Sequence, residues 1–207
     1  MKDFNELLIK YSSDKAQHGY GPSYQKNLPE TCDALLEVGC LKGAGLRAFD
    51  EFYDHRADIH ALDLFEEPGN ITVRECRELN FVPHKGSEVD LNFLETIKWQ
   101  YSVISEDASH NSYDQIASFK HLFLHNLKQG GLWITEDCHC AVDPFYWSKM
   151  EEKKSLDDTI LGLAKKFIET GKIVNPFFNE GESKVFESLI DRMELCVDDK
   201  LLFVWRR

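Results

Sequence analysis

Four residues carry the densest chemistry in this chain: Asp107, His110, Glu136 and Asp137. The first two lie in Ser-Glu-Asp-Ala-Ser-His at 105–110, just after an apolar run, and the other two in Thr-Glu-Asp-Cys-His at 135–139, just after another. Short apolar runs of this kind read as buried strands, and strands four and five of an alternating pattern are expected to be neighbours. Asp107 then faces the Glu136-Asp137 pair. Three carboxylates so placed repel, and one or more must stay protonated unless a cation sits among them. A hard divalent ion, Mg²⁺ or Mn²⁺, suits an all-oxygen set, with water or substrate oxygens completing its shell. His110 lies close without needing to bind the ion, and could take the proton from a substrate hydroxyl. The plainer alternatives are a helix cap for the acid pair and a chance Asp-x-x-His.

A second constellation is Glu37-Val-Gly-Cys-Leu-Lys-Gly-Ala-Gly45. Glycines at 39, 43 and 45 allow a ligand close to the backbone. In an open α/β sheet the first strand-to-helix turn borders the usual ligand crevice. The spacing is not the dinucleotide Gly-x-Gly-x-x-Gly. Glu37, just before the turn, would repel a phosphate and suit an amino group. Asp63 ends the next strand, where a carboxylate can accept from both ribose hydroxyls. A nucleotide cofactor is expected here, and the turn alone leaves its identity open.

The elements that must position these residues alternate along the chain. Residues 34–40, 59–65, 80–84, 101–105 and 132–135 read as strands. Residues 43–53, 89–98 and 112–127 read as helices. In the last of these Ile116, Phe119, Phe123 and Leu127 share one face, and Gly130-Gly131 closes it. Such alternation predicts a parallel sheet covered on both faces. Residues 155–170 read as a further helix. Residues 194–197 and 201–205 flank Asp198-Asp199-Lys200, a hairpin signal, so the seven-stranded sheet ends antiparallel. Residues 11–28 are polar and aromatic. They read either as a cap or lid over the carboxyl edge or as a surface helix and loop, and not as core.

The bulk numbers suit one globular domain spanning 1–207, with 1–30 as its N-terminal cap segment. A formal net charge of −12 disfavours nucleic acid as a partner. The six cysteines sit mostly in apolar runs and read as buried thiols, which favours a reducing compartment. With no run near the ~18 apolar residues of a membrane span and no leader pattern, the expectation is a cytoplasmic protein that contacts no membrane. His139 lies between Cys138 and Cys140, but neighbours on an extended chain point to opposite sides, and no second Cys/His cluster has finger spacing. Zinc is therefore not expected there.

Glu37, Gly39, Gly43 and Asp63 resemble the first two motifs of class I S-adenosylmethionine-dependent methyltransferases. In that superfamily the turn passes under the methionine part of the cofactor and the second acid holds the ribose. The resemblance implies a Rossmann-like fold whose final strand is reversed. Gly86-Ser-Glu-Val-Asp90 falls where the adenine-flanking loop would lie, with Ser87 in place of the acid often found there. Residues 101–139 closely resemble the region of macrolide-type sugar O-methyltransferases that reads as an Asp-Gly-Ser-His turn, a Gln-Ile-Ala-Ser-Phe helix and a Gly-Gly strand ending in Glu-Asp. Glu106 and Ala108 depart from that pattern, and neither removes a functional group. Ser13-Asp14-Lys15, with His18 and Tyr20, resembles the family's Thr-Asp-Lys segment.

The resemblance implies that Asp107, Glu136 and Asp137 bind Mg²⁺, that His110 is the general base, and that His139 lines the active site. Tyr20 is a candidate substrate contact. Tyr146 and Trp147 could stack on a sugar or pack locally. The implied reaction moves a methyl group from S-adenosylmethionine to a hydroxyl of a vicinal diol. The acceptor would be a small or glycosylated molecule, best a sugar on a natural product or polysaccharide. The alternatives are a catechol acceptor, a non-catalytic cofactor-binding partner in a biosynthetic complex, and a metal-dependent hydrolase that would leave Asp63 unexplained. A homo-oligomer is compatible with all of these.

Overall fold

A computed structural model describes residues 2–143 and 155–207. Seven strands form one sheet in the order β3-β2-β1-β4-β5-β7-β6. They are β1 (Ala34–Val38), β2 (Asp58–Asp63), β3 (Val82–Lys85), β4 (Tyr101–Glu106), β5 (Leu127–Thr135), β6 (Ile190–Cys196) and β7 (Leu201–Arg206). The first five are parallel, and β7 runs antiparallel between β5 and β6. This is the mostly parallel sheet with a reversed C-terminal hairpin implied by the sequence. β1 is buried along its whole length, as a central parallel strand covered on both faces must be.

Helices α1 (Phe4–Lys10), α2 (Asp14–Gln17) and α3 (Gly21–Asn27) precede the sheet, and α4 (Ala44–Phe52) follows β1. α5 (Val73–Glu78) leads into β3, and α6 (Leu91–Leu94) and α7 (Ser112–Ser118) flank β4. α8 (Ile160–Thr170) and α9 (Glu180–Leu189) come last. Two apolar cores result. One holds Phe4, Tyr24, Phe49 and Phe203, and the other holds Ile104, Phe119, Trp133 and Phe186.

Four local readings change. Residues 89–98 form only the single turn α6; past it the Thr96 and Ile97 amides donate to Phe93 O and Leu94 O, three residues back, and the helix stops there. The helix from Ser112 widens into a π-helical turn at Phe119–Phe123, and Leu127 already belongs to β5. Gly130-Gly131 does not close a helix. It sits inside β5, with Gly130 at φ +75°, where the pairing with β4 slips between Tyr101 and Val103. Residues 11–28 contribute to the core after all: Tyr20 and Tyr24 are fully buried, and the Tyr24 ring packs on Phe4 and Phe49.

Candidate active site

Parallel register brings the expected residues to one edge. Val38 pairs with Glu106, and Glu106 pairs with Thr135. The next residues are therefore Gly39, Asp107 and Glu136, level with one another. The ladder runs one step further: Asp107 N donates to Val38 O at 2.8 Å and Glu136 N donates to Glu106 O at 2.9 Å. The C-terminal hairpin braces the same edge, since Cys138 N donates to Lys200 O at 2.9 Å.

The glycine turn closes tightly on this edge. A Cβ on Gly39 would stand 2.2 Å from the Asp107 carbonyl oxygen, and its φ of +79° already favours glycine. A Cβ on Gly45 would stand 2.1 Å from Glu37 Oε1. Gly43 caps the start of α4. Asp63 braces the turn from β2, accepting from Cys40 N at 2.8 Å and from Phe65 N at 2.9 Å.

The crevice above has two joined parts. One, of about 340 Å³, reaches from Asp63 and Asn70 to Asp107 and His110. The other, of about 200 Å³, lies between Lys15, Glu37 and Gly45. Asp14, Gly39, Leu41 and Asp107 line both. Glu88 reaches the crevice beside Asp63, whereas the Ser87 hydroxyl accepts from Val89 N at 3.4 Å. Glu37 is 1% exposed, and burial raises its carboxyl to about 7 against the pull of Lys15. Its Oε2 is buried with no hydrogen-bond partner, so it can receive a donor from a ligand.

The acids divide into two groups. Asp107, His110 and Asp137 offer donor atoms within 4.8 Å of one another. His110 Nδ1 lies 3.8 Å from Asp107 Oδ1, and Nε2 lies 3.7 Å from Asp137 Oδ2. Both His110 (φ +56°) and Asp137 (φ +53°) hold left-handed backbone, a strain of about 1–3 kcal/mol each that concentrates at functional sites. Glu136 turns elsewhere. Its Oε1 contacts Lys15 Nζ at 2.8 Å, accepts from the Tyr24 hydroxyl at 2.5 Å and lies 3.3 Å from Ser105 Oγ. Burial, then Asp107, raises Glu136 to about 8, with Lys15 and Tyr24 opposing. Burial likewise raises Asp107 against the attraction of Lys15 and His110.

The N-terminal segment supplies the remaining partners. Lys15 is 3% exposed, and its Nζ lies 2.6 Å from Asp107 Oδ2 and 3.3 Å from Glu37 Oε1. Burial would pull the ammonium down, but three carboxylates hold it well above its ordinary value. The Tyr20 hydroxyl donates to Asp137 Oδ1, and burial, then that bond, raises the phenol. His18 and His139 approach the same oxygen at 3.6 and 3.8 Å. Burial lowers His139. Tyr146 and Trp147 lie outside the described residues.

Sequence reasoning missed the role of Lys15 and Tyr24, which meet their acids across 92 and 112 positions. It left the relief of repulsion to a metal alone. The spacing Lys15, His18, Tyr20, Tyr24 was the available signal, since each side chain reaches the same acid pair or its neighbour. The donor set suits a hard cation. Glu37, Asp107, Glu136 and Asp137 set four carboxyls against one lysine, so a dication would still be attracted.

No family model matches the chain, and no curated protein does. Solved structures do match. MycE methyltransferase from the mycinamycin biosynthetic pathway, in complex with Mg and SAH, superposes with a TM-score of 0.78 at 23% identity, over 99% of this chain and 54% of that one. A structure described as cmcI with Mg-SAM matches with a TM-score of 0.53 at 16% identity, over 93% of this chain and 71% of that one. SAH-bound PaMTH1 methyltransferase of Podospora anserina gives 0.53 at 15%, over 100% and 89%. The chain spans about half the length of MycE. The seven-stranded sheet with its reversed β7 is thus the class I methyltransferase fold, in a form resembling that of MycE.

Proposed function

We propose that this chain is an S-adenosylmethionine-dependent, metal-dependent O-methyltransferase acting on a hydroxyl of a vicinal diol, best a sugar of a glycosylated natural product or polysaccharide. One observation carries the reading. The crevice that runs from Asp63 past Glu37 is lined by Asp107, and Asp107 is also a member of the Asp107–His110–Asp137 group. Cofactor and acceptor sites therefore share a wall.

The roles follow from position. Asp63 and Glu88 border the nucleoside end of the crevice, and Glu37 offers its free oxygen to the amino group at the other. Asp107 and Asp137, with Glu136 beside them, would hold the divalent ion. When bound, that ion would polarise the acceptor oxygens. The Tyr20 hydroxyl fixes Asp137, and His18 and His139, 3.6 and 3.8 Å from the same oxygen, would border the acceptor side.

His110 takes the acceptor proton as the oxygen attacks the methyl carbon. The carbon–oxygen bond forms, the carbon–sulfur bond breaks, and its electron pair stays on sulfur. An unassisted hydroxyl resembling water has a pKa of about 15.7 and histidine one near 6.5, so prior proton transfer would cost roughly 12 kcal/mol. Polarisation of the hydroxyl and concerted removal shrink that gap, and alignment of the two reactants contributes about 7–11 kcal/mol. MycE has been solved with Mg, SAH and Mycinamycin VI together, and the acceptor class proposed here leans on that likeness.

Calorimetry tests the reading. S-adenosylmethionine should bind the wild type and lose its binding in Asp63→Ala. No binding to the wild type, with or without Mg²⁺, would overturn it.

A further inference from the structure

Lys15 stands where the metal-dependent reading needs negative charge to be free. Its ammonium has three N–H donors and meets three carboxylates, Asp107 at 2.6 Å, Glu136 at 2.8 Å and Glu37 at 3.3 Å. Asp107 follows β4, Glu136 follows β5 and Glu37 lies in β1, so one cation ties three strands together. Lys15 itself is held by backbone bonds on both sides. Its amide donates to Asp14 Oδ1 at 3.0 Å, and its carbonyl accepts from Tyr20 N at 3.0 Å.

We propose that Lys15 is a resident counter-cation that competes with the divalent metal for Asp107 and Glu136 and thereby sets the metal affinity of the site. The inference rests on the metal-dependent reading given above. An ammonium and a dication cannot share the same carboxylate oxygens, because the like charges repel at that range. With Lys15 in place, the open oxygens are Asp107 Oδ1 and Asp137 Oδ2, the ones beside His110, since Asp137 Oδ1 already accepts from Tyr20. Glu136 Oε1 sheds the ammonium only when Lys15 withdraws, and keeps its bonds from Tyr24 and Ser105. A destination exists, since Lys15 already touches Glu37 Oε1 at 3.3 Å, a contact that leaves Oε2 for the cofactor's amino group. Metal entry therefore draws Lys15 toward Glu37, and the same lysine keeps the acid edge assembled before metal arrives.

The test is direct Mn²⁺ binding, followed by calorimetry and by the electron paramagnetic resonance of free Mn²⁺ near pH 8. Wild type, Lys15→Met and Lys15→Arg are compared. Lys15→Met should bind Mn²⁺ tighter by roughly tenfold or more, and Lys15→Arg should stay near wild type, because it keeps the charge. A lysine that merely supported the fold would give the opposite sign on removal. Metal-free Lys15→Met should also melt below the wild type and recover with Mn²⁺. Lys15→Gln, which keeps a donor without the charge, gives the same comparison should Lys15→Met not fold. Should the wild type bind Mn²⁺ and neither neutral variant bind it more tightly, the competition is refuted while the metal-dependent reading stands. Absence of Mn²⁺ binding in every variant would overturn both.

Discussion

Gly45 is the position where one methyl group should matter most. A Cβ there would collide with Glu37 Oε1, and Glu37 cannot move without leaving Lys15 or shifting α4. Overpacking of this kind costs about 1–3 kcal/mol. Gly45→Ala should keep its far-UV circular dichroism and weaken S-adenosylmethionine by about tenfold or more in calorimetry, since about 1.4 kcal/mol is tenfold. Unchanged affinity would remove Glu37 from the cofactor site. His110→Ala should lower turnover by about 10²–10⁴, the range of a general base, with cofactor affinity retained. Full turnover of that variant with metal present would end the base assignment. Asp107, His110 and Asp137 were legible in the sequence because they follow apolar strands by fixed short offsets. Lys15 and Tyr24 were not, because nothing local says which acid a side chain meets across the fold.

Among the elements, β2 and β3 carry a feature unrelated to the crevice. His60 Nδ1 and His84 Nε2 lie 2.9 Å apart, and their rings are within 17° of parallel with centroids 5.1 Å apart. That combination makes the rings nearly collinear and edge to edge, sharing one proton, with the Tyr101 hydroxyl 3.1 Å from His60. Trp99 closes over His60, which is fully buried. Burial, then His84, lowers His60 to about 4, and burial lowers His84. The folded state thus binds fewer protons than the unfolded one, whose histidines titrate near 6.5. The stability is complete above that value and is lost as pH falls toward 4. His60 alone should cost about 2 kcal/mol by pH 5. Urea midpoints near pH 7.5 and pH 5 should show this gap in the wild type and a smaller one in His60→Leu. An equal gap in both would place the acid sensitivity elsewhere. The hairpin turn is a second device at this scale. Val197, Asp198 and Asp199 all hold positive φ, and Lys200 O then reaches Cys138 N, directly after Asp137.

Over the whole molecule the charge of −12 is the dominant field. It should leave duplex DNA and RNA unshifted in a mobility assay at physiological salt, and a clear shift would contradict the reading of a small-molecule acceptor. No helix among the described residues is long and apolar enough to cross a membrane. By itself the sequence determined the alternating order of elements, the reversed hairpin, the glycine turn with Asp63 and the edge on which Asp107, Glu136 and Asp137 fall. These are local facts, since periodicity and short offsets set which residue leaves a strand and where. The tertiary structure alone decided that Tyr20 and Tyr24 of the N-terminal segment join the core, that Gly130-Gly131 bends a strand instead of ending a helix, and that Glu136 faces Lys15 while Asp137 faces His110. Those outcomes depend on long-range packing and on the pairing of buried charges, which must be settled among all nearby groups at once.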